Sequence, residues 1–272
     1  MTKLRVKVQF IITAISSSNR LPSMSLRKWQ SIYLVAAFAL LPAAPLLYLQ
    51  GRFTRWKVGV LPDAENPEGI AGDSGDEDRL LVIGESTVAG LGAKTHDRAL
   101  AGRFAFWLSQ VIGRRIRWRA IGRTGVTARE TLDDLFPLIS QEETFDYILV
   151  GLGGNDVLKI TSPKRFRRDM TDLLARLRER FPQATIFISN CPMIKFSPVL
   201  PQPIKGILWR LSKMHDANMR DLTVNLEGVH YYPQPTEFEV DGFFADGIHP
   251  SEKGYDDWSR AMTEYFASRL PR

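Results

Sequence analysis

Cysteine is almost missing from this chain: Cys191 is the one thiol in 272 residues. A lone thiol excludes an internal disulfide framework and any zinc site built from several cysteines. Histidine is scarce as well, and His96, His215 and His230 show no chelating spacing, so no metal and no cofactor is expected. Acidic residues are absent from the first 60 positions, which hold nine Lys/Arg and no Asp or Glu. The formal net charge of +6 therefore belongs to the N-terminus, because the remainder carries 27 basic against 30 acidic residues. That distribution excludes nucleic acid as a partner of the main body of the chain.

Charge of either sign is missing from Ile32 to Leu49, eighteen residues that include Pro42 and Pro45. The run approaches the roughly 20 residues needed to cross a bilayer core, and a membrane span tolerates proline better than a soluble helix does. Lys3, Arg5, Lys7, Arg20, Arg27 and Lys28 precede it, while Arg52, Arg55 and Lys57 follow. This bias places the N-terminus inside and the rest on the outer side of a cytoplasmic membrane. The expected order is a basic segment over 1–30 and a transmembrane signal anchor over 31–50. Two other readings stay open. Ala43-Ala44 offers small residues for signal cleavage and secretion, and the helix could instead pack on a cytoplasmic domain. Met24 is an alternative start, since Ser25 to Gln30 already makes a basic lead-in.

Positions 51–78 read as a linker, with Pro62, Pro67, Gly69, Gly72, Gly75 and an acidic cluster from Asp73 to Asp78. This stretch contains Gly72-Asp73-Ser74, but no apolar run precedes it and no helical pattern follows, so Ser74 is not the expected nucleophile. The catalytic domain is expected over 79–272. Apolar runs bounded by turn residues predict five strands: Leu80–Ile83, Ile116–Ile121, Tyr147–Leu152, Ala184–Ser189 and Val229–Tyr232. Helical patterns fall between them, at Arg98–Ile112, Ala128–Phe136, Pro163–Phe181 and Ile204–Leu222, with a closing helix capped by Ser251. Small residues after Ser86 suggest a further helix there. Alternation of this kind predicts a parallel sheet with helices on both faces, here a flavodoxin-like three-layer α/β/α sandwich with five parallel strands.

In such a sheet the loops that follow the strands gather at one end. Ser86, Gly125, Asn155 and the loop Asp246–His249 all fall there. A hydroxyl, an imidazole to accept its proton and a carboxylate to orient the imidazole make an acyl-transfer triad. Ser86, His249 and Asp246 are the candidates. The backbone amides of Ser86 and Gly125 with the side-chain amide of Asn155 would form the oxyanion-binding site. Asp156 is expected to buttress this region.

Gly84-Glu85-Ser86, Gly125, Gly153-Gly154-Asn155-Asp156 and Asp246-Gly247-Ile248-His249-Pro250 resemble, in order, the four blocks of the SGNH (GDSL-type) hydrolases. The resemblance runs from Arg79 to about Leu270. It implies a flavodoxin-like hydrolase that needs no metal, with the serine, glycine, asparagine and histidine in the roles above. Two positions depart from the family pattern. Glu85 stands where an aspartate usually precedes the serine, and Ala120 where an asparagine often stands.

The function expected is that of a membrane-anchored serine hydrolase acting on a small-molecule, lipid or glycan ester. An esterase or lysophospholipase would use an apolar acyl groove, which Met193, Ile194, Phe196, Val199 and Leu200 could line. A glycan O-acetylesterase or O-acetyltransferase of the cell envelope would need a small acyl pocket. A non-catalytic membrane-tethered binding protein would be expected to lack members of the triad.

Overall fold

The computed structural model describes residues 25–59, 61–73, 75–237 and 239–270. Ser74, Met24 and the basic positions Lys3 to Arg20 lie outside the described residues.

Successive side chains on a strand point to opposite faces, and both faces of the central strand here are apolar. Within β2 (Glu77–Gly84), Leu80 and Val82 join one core, while Leu81 and Ile83 join the other. All four are fully buried, as expected for a parallel strand covered by helices on both sides. Strand β1 is Glu68–Ala71, and β3 (Arg115–Gly122), β4 (Tyr147–Gly151), β5 (Thr185–Ile188) and β6 (Val229–Tyr231) complete a sheet in the order β1-β3-β2-β4-β5-β6. β2 to β6 run parallel, and β1 is antiparallel to β3. The sheet thus has six strands rather than five, and the additional one comes from the stretch expected to be linker.

That strand is held by tertiary contacts. Glu68 to Ala71 pair with Arg119 to Ile116, and Gly69 lies under the indole of buried Trp118. A methyl group at 69 would lie 2.4 Å from Trp118 Cζ2, so only glycine permits the stacking. Just before it, Ala64 N donates to Ala89 O and Glu65 N to Lys94 O. The His96 ring lies 3.1 Å from Glu65 O and 3.2 Å from Val88 O. Residues from about 61 onward therefore belong to the body that contains Ser86.

The helices follow in chain order as α1 (Leu26–Leu40), α2 (Ala44–Val58), α3 (Leu100–Ile112), α4 (Ala128–Glu130), α5 (Gly154–Leu158), α6 (Pro163–Arg180), α7 (Ile204–Thr223) and α8 (Glu252–Phe266). α3 and α8 cover one face through Phe104, Leu108, Tyr255, Met262 and Phe266. α6 and α7 cover the other through Phe166, Leu173, Leu177 and Met219. Ser251 caps α8, its Oγ accepting from Gly254 N at 3.1 Å. α1 and α2, joined by a tight turn at Leu41–Ala43, make one 33-residue helical stretch whose most apolar window is not buried. At about 1.5 Å per residue it is long enough to cross a bilayer. Tyr33 Oη donates to Ile160 O and Gln50 Nε2 to Gln202 O, while Val35, Phe38, Leu46 and Trp56 face outward.

Candidate active site

Three parallel strands end level with one another, with Gly84 paired to Gly122 on one side and to Gly151 on the other. A methyl group at 84 would come within 2.0 Å of Gly151 O, so glycine is required for the strands to approach here. The chain then turns out of the sheet at Glu85 and Ser86. No helix opens at this point: residues 86–93 form consecutive turns, with Val88 N and Ala89 N donating to Glu85 O and Leu91 N to Ser86 O. Gly90 (φ 79°) and Gly92 (φ 97°) take left-handed conformations that stop helical growth, and α3 begins only at Leu100. Ser86 is therefore presented on a tight turn above the sheet, with only 9% of its surface exposed.

The loop before α8 brings the other two groups. Asp246 Oδ1 accepts from the amides of Ile248 and His249 at 2.8 and 2.7 Å, which folds the loop back on itself. Its second oxygen lies 2.8 Å from His249 Nδ1, and His249 Nε2 lies 3.1 Å from Ser86 Oγ. Burial alone would push the Asp246 carboxyl up; the bonds from the His249 ring and from the His249 and Ile248 amides outweigh it, and the group sits below the usual carboxylate range. An acid held ionised in this position favours the Nδ1–H tautomer, which leaves Nε2 free to accept a proton from Ser86. The loop is braced from outside by buried Ser197, whose Oγ donates to Gly247 O at 2.7 Å. Tyr255 Oη donates to Leu91 O at 2.7 Å and ties α8 to the turn that carries Ser86.

Asn155 sits in the first turn of α5, just past β4. Its Nδ2 donates to Glu85 Oε2 at 2.7 Å, as does its backbone amide, and Gly154 N donates to Glu85 Oε1 at 2.7 Å. Glu85 is itself buried; burial drives its carboxyl up to about 7 against the opposing pull of these three N–H donors. Gly125 has φ 87°, and nothing lies within 4 Å of the side from which a side chain would project. Among the described residues no acceptor engages the backbone amide of Ser86 or Gly125. Asp156 Oδ2 accepts from Ala128 N at 2.9 Å and so joins the Asn155 turn to the loop that carries Gly125.

Of the residues expected to line an acyl groove, Ile194 and Leu200 are buried in a small cluster with Val157 and Leu208. Val199 packs on Gly247, and Met193 and Phe196 are half-buried. Cys191 is buried behind Gly153. Sequence reasoning gives no role to two residues that shape the site. In the sequence His96 is only a histidine without chelating spacing, ten residues from Ser86 in a polar stretch with no periodic signal; Gly154 stands in the third block with no function of its own.

The GDSL-like Lipase/Acylhydrolase family matches residues 82–256. The fold is similar to that of the lipase Lip_vut3 from a goat rumen metagenome, at 14% identity and a TM-score of 0.57 over 70% of this chain and 96% of that one. It is also similar to the acetyl xylan esterase Est2A from Butyrivibrio proteoclasticus, at 13% identity and 0.52 over 73% and 66%. A third similar structure is the psychrotrophic esterase EstA from Pseudoalteromonas sp., at 18% identity and 0.50 over 71% and 97%. No curated protein matches the chain in sequence. The chain belongs to the GDSL-like lipase/acylhydrolase family and is an ester hydrolase.

Proposed function

We propose that this member of the family hydrolyses carboxylic esters with Ser86 as nucleophile, His249 as general base and Asp246 as the carboxylate that orients it. The observation that carries the reading is the unbroken chain Asp246 Oδ2–His249–Ser86 Oγ, with spacings of 2.8 and 3.1 Å. Ser86 Oγ attacks the ester carbonyl while its proton passes to His249 Nε2. Negative charge develops on the carbonyl oxygen, where the amides of Ser86 and Gly125 and the Asn155 Nδ2–H would receive it. The tetrahedral adduct collapses to an acyl-serine, and His249 returns the proton to the departing alcohol. Water then attacks the acyl group by the same route, releasing the acid and restoring Ser86. Activity-based labelling of the wild type and of Ser86→Ala tests the assignment. The similar fold of Pseudoalteromonas EstA was determined inhibited by monoethylphosphonate, which makes an organophosphorus probe a natural choice.

A second reading concerns the acyl group. Because Ile194 and Leu200 are committed to a core with Val157 and Leu208, they do not line a long apolar trough, and this favours a short acyl group such as acetate. That supports a glycan O-acetylesterase ahead of a long-chain lipase. Activity on acetylated glycans, set beside a chain-length series of p-nitrophenyl esters, tests it. The domain order proposed is an anchor within 31–50 and a catalytic body that begins near 61. We also assign the catalytic body to the outer side of the membrane, on the strength of the basic bias ahead of the span.

A further inference from the structure

The first residue after β2 is a glutamate with no place in the triad. Its carboxylate is buried between β2 and the turn that begins α5, and it accepts three N–H bonds of 2.7 Å, from Gly154 N, Asn155 N and Asn155 Nδ2. A side-chain amide can present either its oxygen or its nitrogen to a neighbour, and the choice depends on the partner. Above about pH 7 the Glu85 carboxyl is ionised and only accepts, so there Asn155 must turn Nδ2 toward it. One hydrogen of that nitrogen is then held by Glu85, and the amide plane and the direction of the second hydrogen are set with it. With the amide flipped, Oδ1 would face the carboxylate and repel it.

The residue at 154 matters to the same contact. A methyl group there would lie 2.8 Å from Glu85 Oε1 and 3.2 Å from both its Cδ and Oε2. The far end of a free glutamate could swing away, but this one is pinned at both oxygens. Glycine at 154 is thus the spatial counterpart of the long acid at 85. A shorter acid would leave this space to a side chain at 154.

We propose that Glu85 is a positioning residue for oxyanion stabilisation, locking the Asn155 amide with its nitrogen toward the substrate, and that Gly154 is its matched partner. The inference rests on the reading of Asn155 as an oxyanion donor. It makes the 85/154 pair a unit that must change together.

Two cycles on the full-length protein with a p-nitrophenyl ester, run at about pH 8.5 where the Glu85 carboxylate is ionised, test it. The first compares wild type, E85Q, N155A and E85Q/N155A. Glutamine offers a donor as well as an acceptor, so either orientation of the Asn155 amide is satisfied in E85Q. E85Q should lower kcat by about tenfold to a hundredfold, less than the roughly 10²–10³ of deleting a donor outright, with KM within about twofold. On the N155A background it should change kcat by less than about twofold, because the two residues act as one. Equal losses on both backgrounds, or wild-type kcat in E85Q beside an impaired N155A, would overturn the proposal while leaving the oxyanion reading intact. Wild-type kcat in N155A would remove the oxyanion reading, and this inference with it. The second cycle does not depend on E85Q folding: G154A should lose kcat and E85D/G154A should recover at least about tenfold of it. No recovery would overturn the matched pair.

Discussion

Ser86 Oγ lies 3.1 Å from Nε2 of His249, a residue 163 positions further along the chain. Nothing local brings them together. The turn after β2 and the loop before α8 meet because both lie above the same end of the sheet, tied by the bond from Tyr255 to Leu91 O. The proposed chemistry depends on that contact, and several expectations follow from its surroundings.

Asn155→Ala should lower kcat by about 10²–10³, the usual cost of one preorganised donor. KM should change little, because the bond to the substrate oxygen strengthens mainly as charge develops. Steady-state kinetics on a soluble ester checks this, and an unchanged kcat with a raised KM would make Asn155 a ground-state binding residue.

Gly69→Val should destabilise the fold by about 1–3 kcal/mol through overpacking, since even a methyl group would meet Trp118 at 2.4 Å. A residue in a solvated tether would show no such effect. Thermal unfolding of the two proteins separates these outcomes.

Acid should act on stability through His215. Burial, with the ring stacked on Phe166, holds its pKa down to about 3, against about 6.5 for an unfolded chain. Between those values the unfolded state binds a proton that the folded state does not. The contribution of this group to stability therefore falls as pH drops from about 6.5 toward 3, against the opposite contribution of Glu85, whose carboxyl is raised to about 7. The group contributes about 2–3 kcal/mol of loss between pH 7 and 4.5. His215→Phe keeps an aromatic ring against Phe166 and should remove this loss, so that in urea titrations the change in stability from pH 7 to 4.5 is more favourable in the variant than in the wild type by about that amount. A slope equal to that of the wild type would contradict the assignment.

The full-length protein should stay with membranes through a carbonate wash. Protease added to intact spheroplasts should remove the catalytic body. Release in carbonate would mean that Leu26–Val58 does not span, and protection until the membrane is broken would reverse the orientation.

The parts legible in the sequence are those whose cause is local. β2, β4 and β5 are apolar on both faces and bounded by turn residues, so their runs identify them without knowledge of neighbours. Ser86, Asn155 and His249 could be singled out as candidates because Ser86 and Asn155 each come just after an apolar strand run and His249 lies three residues after Asp246. β1 was not legible, because Glu68-Gly69-Ile70-Ala71 has neither length nor alternation, and it exists through β3 and Trp118. The helix expected after Ser86 fails for a reason visible only in the backbone: Gly90 and Gly92 adopt left-handed conformations that small-residue content alone does not reveal. Glu85 was visible as a departure from the family pattern, yet its partner Gly154 lies 69 residues away and emerges only when the two turns are seen together.

The assignment of the nucleophile is tested most directly by treating the wild-type protein with a fluorophosphonate and mapping the adduct by peptide mass spectrometry. The account predicts a single adduct on Ser86, absent from Ser86→Ala, with the parallel loss of esterase activity by more than about 10⁴-fold and little change in Tm. An adduct on Ser74, or labelling and turnover that survive in Ser86→Ala, would contradict it.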